Sequence, residues 1–570
     1  MALCCLMGAP AVAQVSVTVE VKGVSGAMLE NVKLFLSIEQ QKDDPLLSEG
    51  RIRRLHGKAL QHIRNALEPF GHYRPEIDAR LSQQSPQRWR ATYTVDPGPP
   101  LPIAELDVQL LGDALNDSVF RAEMAALPLR GGNTLVHSVY EEAKDRLARL
   151  AAERGYFDAR FVKHRVEVDL QAYQARVTLH FDSGRRYRFG AVDLRQHVLD
   201  PGLLARYVPF RQGTPFHLER VIELQQALND SDYFRTVEVW PQPERAEQWL
   251  TPIVVELTPR KRNRWLFGLG YGTDTGARAK AGWQVPRINR RGHRFDTLLK
   301  FSEIGDSLTA NYHIPGRNPR VDEWVYSAGL INERTDTRDS RIETLGVSWV
   351  HTRARWRETL SLEYQEERFR VADDEGESVL LMPGVSWSRI WARDHIYARN
   401  GTRLDLNVRG ATEQVVSDTG FVQVRGGAKL SRGLAARNRV IIRGAAGWSL
   451  VPEFRELPAS VRFFTGGAQS VRGYAYQSLG PKNADGEVVG GRHLLVGSVE
   501  YEQRWAEKWS AALFYDQGNA LDDFGDGLEK GAGFGLRWRS PVGPVRFDVA
   551  TALSRDGRPW RLHINIGPDL

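Results

Sequence analysis

The sequence predicts a two-part fold, in which α+β modules precede a sixteen-stranded antiparallel transmembrane β-barrel. Three observations predict it. A pattern of helix end, turn and strand recurs three times before residue 262, and strict alternation of apolar and polar residues replaces it afterwards. Twelve of the fifteen tryptophans lie in the alternating half. With 42% hydrophobic and 26% charged residues, the chain has the composition of a folded protein.

The first thirteen residues resemble the end of a secretory signal peptide. An apolar run ends in Ala11-Val12-Ala13 before Gln14, although the usual basic start is missing, which suggests a truncated or misassigned start. Because Cys4 and Cys5 are the only cysteines, cleavage after Ala13 would exclude disulfides and thiolate metal sites. No later stretch reaches ~18 consecutive apolar residues, so no transmembrane helix is predicted.

The repeat defines three modules, over residues 14–98, 99–184 and 185–260. Its copies read ALEPFGHYRPEIDARL near Gly71, LAAERGYFDARFVKHRVEV near Gly155 and ALNDSDYFRTVEVW near Asp232. A second repeated motif, Thr-x-x-x-Asp-x-Gly, begins at Thr92 and at Thr178. Each module is predicted to contain a strand, a helical pair and two further strands, with helices covering one sheet face. The exposed strand edges could accept a guest strand; alternatively, the modules are only spacers.

Residues 261–570 are predicted to form the barrel. RWLFGLGY, TRLDLNVRG and PWRLHINIG each place apolar and polar or glycine residues on opposite faces. A water-soluble sheet would also alternate, but about sixteen such segments and tryptophans near strand ends are typical of an outer-membrane barrel. Only a closed barrel satisfies the backbone hydrogen bonds of strands in lipid.

Several function classes find no support in the sequence. A net charge of +7 without a clustered basic stripe argues against nucleic-acid binding. No motif of a hydrolase, metalloprotease or nucleotide-binding enzyme occurs, so the protein is predicted not to be an enzyme and to need no cofactor or metal. GLGYG and GAGFG lie in strands without a following helix, so packing or strand flexibility explains their glycines better than nucleotide binding does.

One glycine-rich segment stands out between the predicted eleventh and twelfth strands. FFTGGAQSVRGYAYQSLGPK, residues 463–482, lies in a connection of about forty residues on the outer side of the membrane. This connection is long enough to fold back into the barrel lumen.

In this context the sequence resembles the BamA/TamA superfamily of outer-membrane assembly factors, whose N-terminal modules are POTRA domains. The resemblance rests on the module array, the sixteen-stranded barrel and the motif formed by Val471, Arg472, Gly473 and Tyr474. Three modules, the GLRWRSPVGPVRFDVA segment and the Ile-Gly-Pro-Asp-Leu ending are most similar to the TamA (translocation and assembly module) branch. The ending departs from the aromatic terminus of many outer-membrane barrels.

The resemblance implies that Arg472 reaches into the lumen and latches the loop to acidic residues of the inner wall. The matching positions are Glu500 and Asp516, and alternation independently places both opposite lipid-facing residues. Alternation also places Glu502 toward the lumen, so it is a third candidate. A guanidinium can satisfy carboxylate oxygens bidentately. The sequence leaves open which carboxylate it prefers; the alternative is a solvated loop arginine.

The resemblance also implies a weak seam between the first and last strands, through which client proteins insert. The predicted seam residues are Trp265, Phe267, Gly268, Gly270, Gly272, Ile564, Ile566 and Gly567. The implied location is the outer membrane of a Gram-negative-type cell, with the modules in the periplasm. The implied partners are an inner-membrane-anchored TamB-like subunit, unfolded autotransporter and other barrel clients, and lipid. The alternative function is a two-partner-type secretion channel that conducts a polypeptide through the lumen; a passive porin fits the three modules poorly.

Overall fold

The computed structural model describes residues 15–392, 394, 397–540 and 543–566. The predicted signal segment and Gly567 lie outside these residues. Two compact units make up the structure. The first contains the residues up to Asp193 with 210–223 and 239–254, and the second contains 194–209, 224–238 and the chain from Val255 onward.

The chain before residue 260 forms α+β modules that share one order of elements. The first contains β1 (Ser16–Lys22), α1 (Gly26–Phe35), α2 (Ser37–Gln40), α3 (Glu49–Leu67), β2 (Glu76–Ser85) and β3 (Arg88–Asp96). The second contains β4 (Ile103–Leu111), α4 (Ser118–Ala126), α5 (His137–Arg154), β5 (Arg160–Asp169) and β6 (Gln174–Asp182). The third contains β7 (Arg188–Arg195), α6 (Pro201–Ala205), α7 (Leu218–Asp230), β8 (Phe234–Pro241) and β9 (Leu250–Pro259).

Each described module has a three-stranded sheet in which the last strand lies in the middle, in the orders β1-β3-β2, β4-β6-β5 and β7-β9-β8. In the first module the inner face of β3 buries Trp89, Ala91 and Tyr93. Helix α3 covers this face because its apolar residues recur at helical spacing. Its buried residues are Ile52, Leu55, Ala59, Ile63, Ala66 and Leu67.

The glycines of the sequence repeat lie at joints between successive modules. Gly71 and Gly155 adopt left-handed backbone angles, φ 83° and 81°, near the ends of α3 and α5. The Gly71 carbonyl accepts the Leu101 N–H at 2.8 Å, and the Gly155 carbonyl accepts the Tyr187 N–H at 2.9 Å. A Cβ on Gly155 would lie 2.5 Å from the Phe216 Cβ, so both the angle and the close approach require glycine.

The second half closes into an antiparallel barrel, and the prediction of sixteen strands is confirmed for the described residues. Its strands are β10 (Arg264–Gly272), β11 (Gly276–Val285), β12 (Arg294–Ser302), β13 (Gly305–Pro315), β14 (Asp322–Arg334), β15 (Asp339–Arg353), β16 (Trp356–Val371), β17 (Asp374–Ala392), β18 (Gly401–Ala411), β19 (Phe421–Ala435), β20 (Asn438–Leu450), β21 (His493–Arg504), β22 (Trp509–Leu521), β23 (Glu529–Ser540), β24 (Gly543–Ala552) and β25 (Trp560–Ile566).

Alternation along these strands separates an exposed outer face from a buried inner face. In β21, Leu495, Val499 and Tyr501 are exposed, whereas Glu500 and Glu502 are buried. Buried carboxylates need hydrogen-bond partners or counter-charges, so the inner wall at this point requires cations. Among the helices of the described chain, none combines the length and the apolar character needed to span a membrane.

Candidate functional site

The connection between β20 and β21 folds on itself. Within its described residues, isolated backbone bridges join Phe463 to Gly491, Thr465 to Leu479 and Lys482 to Val488. These bridges make residues 463–491 a compact body, which we call the lumenal loop. β20 and β21 are the eleventh and twelfth strands of the barrel, as the sequence predicts for this segment.

Arg472 extends from the lumenal loop to the inner wall and is only 2% exposed. Its Nε and Nη2 donate to the two carboxylate oxygens of Asp516 at 2.7 and 2.9 Å, a bidentate arrangement. Its Nη1 donates to Glu500 Oε2 at 2.7 Å and to Asp548 Oδ2 at 3.3 Å. Its backbone N–H also donates to Asp516, at 3.1 Å. One side chain therefore connects the loop to strands β21, β22 and β24.

Arg537 of β23 completes a closed ring of charges. Its Nε and Nη2 donate to Glu500 Oε1 at 3.1 and 2.8 Å, and its Nη1 donates to Asp548 Oδ1. Each of the two guanidinium groups thus binds both Glu500 and Asp548. Breaking one member of a buried ion pair typically costs about 3–5 kcal/mol, because the remaining charge stays buried without compensation. The ring is therefore stable only when the loop arginine is present.

Glycines and an aromatic ring shape the space around this ring. The Arg472 guanidinium carbon lies 3.4 Å from the centre of the Phe514 ring, a cation–π contact. A Cβ on Gly531 would lie 2.0 Å from the Arg472 carbonyl oxygen, and one on Gly535 would lie 1.9 Å from Asp548 Oδ1. The glycines of GAGFG in β23 thus have a packing role, which is one of the two explanations that the sequence favours.

The neighbours of Arg472 in the motif also contact the wall. Gly473 has φ 97°, and a Cβ there would lie 2.8 Å from the Thr551 carbonyl carbon of β24. The Tyr474 hydroxyl donates to Glu529 Oε2 at 2.7 Å. Val471 is fully buried in a cluster with Tyr474 and other apolar side chains. All four motif residues are buried.

A second attachment joins the residues just before the lumenal loop to other strands of the wall. The buried Glu367 of β16 accepts the Ser460 N–H at 3.1 Å and also binds the Ser460 hydroxyl. Arg462 Nη1 donates to Asp374 Oδ2 of β17 at 2.8 Å. The lumenal loop and the residues preceding it are therefore anchored on two separate groups of strands.

Of the acidic candidates from the sequence, Glu500 and Asp516 contact Arg472, and Glu502 lies in a different cluster. Arg439, directly opposite Glu502 on β20, donates to Glu502 Oε2 through Nε at 2.8 Å and Nη2 at 2.6 Å. The Tyr397 hydroxyl donates to Glu502 Oε1 at 2.8 Å. Glu502 is thus engaged by the wall itself.

Sequence reasoning missed Asp548, Arg537 and the second attachment. Alternation carries a signal for the first two, because Asp548 lies between Phe547 and Val549, and Arg537 lies between Leu536 and Trp538. Charged residues opposite such apolar neighbours point into the lumen. The pairing of Ser460 and Arg462 with β16 and β17 has no comparable signal in the sequence.

In the part of the chain that the structure describes, the first and last strands pair only near one end of each. Among the described residues, β10 and β25 share one register pair, Gly272 with Asn565, whereas β10 and β11 share nine. The Thr273 N–H donates to the Ile564 carbonyl at 3.2 Å, and the Ile564 N–H donates to Thr273 Oγ1 at 3.2 Å. We call this junction the seam.

The predicted seam residues are distributed unevenly about this junction. Trp265 and Phe267 are exposed on β10, and Ile566 pairs with Val545 of β24. Gly268 and Gly270 pair with β11, and a Cβ on Gly268 would lie 2.5 Å from the Lys280 side chain. Gly268 is therefore explained by packing against β11.

The arrangement as a whole can hold a loop in the lumen beside a weak junction. In the described part of the chain, no group of three or more histidine, cysteine or acidic side chains is arranged to hold a metal ion. The chemistry of the site is charge pairing and hydrogen bonding.

Comparison with known proteins gives matches over most of the chain. The family model of the Omp85 superfamily domain matches residues 267–569, more than half of the chain. A model described as POTRA domain TamA domain 1 matches residues 18–97, and a POTRA model described as surface antigen variable number repeat matches residues 106–184.

Individual relatives are distant. Over 387 residues the chain is 22% identical to the outer membrane protein assembly factor BamA of Nitratidesulfovibrio vulgaris, covering 63% of this chain and 48% of the relative. The chain thus spans about half the length of this curated relative. The crystal structure of BamA from Haemophilus ducreyi lacking POTRA domains 1–3 matches with TM-score 0.68 and 17% identity, covering 82% of this chain and 99% of that structure. At this identity, the structural match establishes the fold.

Replacing Arg472 tests the attachment of the loop to the wall. We expect Arg472→Ala to weaken loop docking by about 3 kcal/mol, because Asp516 would lose its bidentate partner while Glu500 and Asp548 would keep only Arg537 of the two ring arginines. Chymotrypsin cleavage after Tyr474 and Tyr476 should then accelerate on the order of a hundredfold. Arg472→Lys should be intermediate, because lysine keeps the charge but lacks the planar fork. Arg455→Ala, at an exposed arginine of the same connection, is the control; equal cleavage of all variants would contradict the attachment.

Enlarging Gly531 tests the same contact from the wall side. We expect Gly531→Ala to displace the Arg472 backbone and to destabilise the docked loop by about 1–3 kcal/mol, as overpacking does. The measurement is again chymotrypsin cleavage of the loop in the folded barrel. Gly427→Ala in β19 is the matched control, since a Cβ there meets nothing within 4 Å. If both variants behave like the parent protein, the close approach of loop and wall is wrong.

Proposed function

The chain belongs to the Omp85 superfamily, and from this premise we propose that it is an assembly factor that inserts and translocates autotransporters and other β-barrel proteins. The barrel lies in the outer membrane, with the N-terminal modules in the periplasm. The proposal assigns the protein no catalytic chemistry of its own. In this mechanism the seam opens, and a strand of the client protein pairs with the exposed edge of the barrel.

The observation that carries the proposal is the unequal pairing around the barrel. Backbone groups of β10 from Arg264 to Tyr271 pair with β11 on one side, while the described part of β25 reaches β10 at Gly272. A typical hydrogen bond contributes about 0.5–1.5 kcal/mol net, so a junction with few of them opens at a far lower cost than its neighbours. The freed edge offers unpaired N–H and C=O groups to an extended segment.

We further propose that the protein is of the TamA type and acts with an inner-membrane-anchored TamB-like subunit, which binds through the modules. The match of residues 18–97 to a model of TamA domain 1 supports this assignment. Residues 185–260 would be a third POTRA module, because the sheet order β7-β9-β8 repeats that of the first two. Unfolded barrel and autotransporter proteins are the proposed clients.

The competing hypothesis is secretion of a polypeptide through the lumen, as in two-partner systems. That route would require the lumenal loop to leave its attachments on the wall. Lateral opening requires rupture of the seam instead. The two mechanisms therefore place the moving part at different positions of the barrel.

A disulfide across the seam separates the two mechanisms. We expect Gly272→Cys with Asn565→Cys, a directly opposed pair, to block insertion of a barrel client when oxidised and to restore it on reduction. The measurement is client insertion by the full-length protein in membranes, with barrel folding followed by heat-modifiable mobility on gels.

The control is a disulfide at a strongly paired junction. Gly444→Cys with Gly497→Cys joins opposed residues of β20 and β21, where added side chains meet little, and should leave insertion unchanged. If the oxidised seam variant still inserts clients, lateral opening is the wrong mechanism and passage through the lumen gains support.

A further inference from the structure

The lumenal loop contacts both strands that flank the seam. Asp274 lies in the turn that joins β10 to β11, and His563 lies in β25. Loop residues Ala468 and Gly473 bind these two side chains. The loop therefore bridges the junction that has the fewest register pairs among the described residues of the barrel.

On the β10 side, the Ala468 N–H donates to Asp274 Oδ2 at 2.6 Å. The preceding residue makes this approach possible. Gly467 has φ 99°, and a Cβ there would lie 2.7 Å from Asp274 Oδ2. A side chain at this position would collide with the carboxylate and would strain the backbone.

On the β25 side, the Gly473 N–H donates to His563 Nε2 at 3.0 Å. His563 is 1% exposed. A ring nitrogen that accepts a hydrogen bond carries no proton, so a neutral His563 holds its proton on Nδ1. This Nδ1 lies 3.6 Å from Asp274 Oδ1, and it has no hydrogen-bond partner among the described residues. Its proton therefore faces the carboxylate across the seam.

The loop contacts are comparable in number to the direct contacts of the seam. Between the strands themselves, the described contacts are the register pair Gly272–Asn565 and the two hydrogen bonds between Thr273 and Ile564. Among the described contacts, two loop hydrogen bonds and the facing Asp274 and His563 side chains therefore form a substantial part of what holds β10 beside β25.

We propose that Asp274 and His563 form a clamp through which the docked loop holds the seam closed. The clamp rests on the proposed function in that the seam must be able to open. Release of the loop removes both clamp contacts, and separation of the strands pulls Asp274 and His563 away from the loop. Loop docking and seam closure are then reciprocally coupled.

Distances between two spin labels on either side of the seam, measured by electron paramagnetic resonance, test the clamp without any client protein. Labels are placed at Leu269→Cys and Leu562→Cys, which are 91% and 50% exposed on β10 and β25, in full-length protein with Cys4 and Cys5 replaced by serine. We expect Asp274→Ala to raise the population of long distances roughly fivefold, the change that loss of one hydrogen bond produces.

Asp373→Ala is the matched control. Like Asp274, Asp373 lies in an outer turn and binds the loop, because Asn483 Nδ2 donates to its carboxylate at 2.8 Å. Unlike Asp274, it lies in the turn between β16 and β17, which is not next to the seam. We expect this variant to leave the seam distances unchanged. His563→Ala should widen the seam, whereas His563→Gln should restore much of the closed population because its amide oxygen can accept the Gly473 N–H.

Equal widening in Asp274→Ala and Asp373→Ala would overturn the clamp, because loosening of the loop in general would then explain the result. Unchanged distances in Asp274→Ala and His563→Ala, with the barrel folded by heat-modifiable mobility, would also overturn it. Neither result bears on the proposed function, which is judged separately by client insertion through the disulfide-locked seam.

Discussion

The attachment of Arg472 to Asp516, Glu500 and Asp548 is the interaction on which the rest of the site depends. Its carboxylates are buried on the inner wall, where charge without a partner is costly. Arg537 belongs to the wall, whereas Arg472 belongs to the loop, so undocking of the loop would remove one arginine partner from each of these carboxylates. The conformation of the lumenal loop therefore depends on acidic residues of strands β21, β22 and β24.

The docked loop and the weak seam are two parts of one arrangement. Long hydrogen-bonded registers between all neighbouring strands would prevent any two strands from separating. A junction without other contacts would not keep its two strands together. Among the described residues, one junction of the barrel has far fewer register pairs than the others, and the loop contacts residues on both sides of it. The wall holds the loop through Arg472 and holds the residues preceding the loop through Arg462.

Periodicity predicts much of this architecture. The repeat around Gly71 and Gly155 indicates the modules, and alternation indicates the sixteen strands and the inward direction of Glu500 and Asp516. Alternation cannot choose between Asp516 and Glu502, because that choice depends on register: Arg439 lies directly opposite Glu502 and occupies it. Alternation also cannot predict the clamp or the glycine contacts. These contacts join residues that lie up to hundreds of positions apart, and they can be found only when the path of the loop through the barrel is known.

A double-mutant cycle measures the central claim most directly, with the free energy of loop release taken from native-state hydrogen exchange. If Arg472 holds the loop through Asp516, Arg472→Ala and Asp516→Ala should be strongly non-additive, with a coupling of about 1–3 kcal/mol. Arg472→Ala and Glu502→Ala should instead be additive. Additivity for Asp516, or a coupling equally strong for Glu502, would contradict the account.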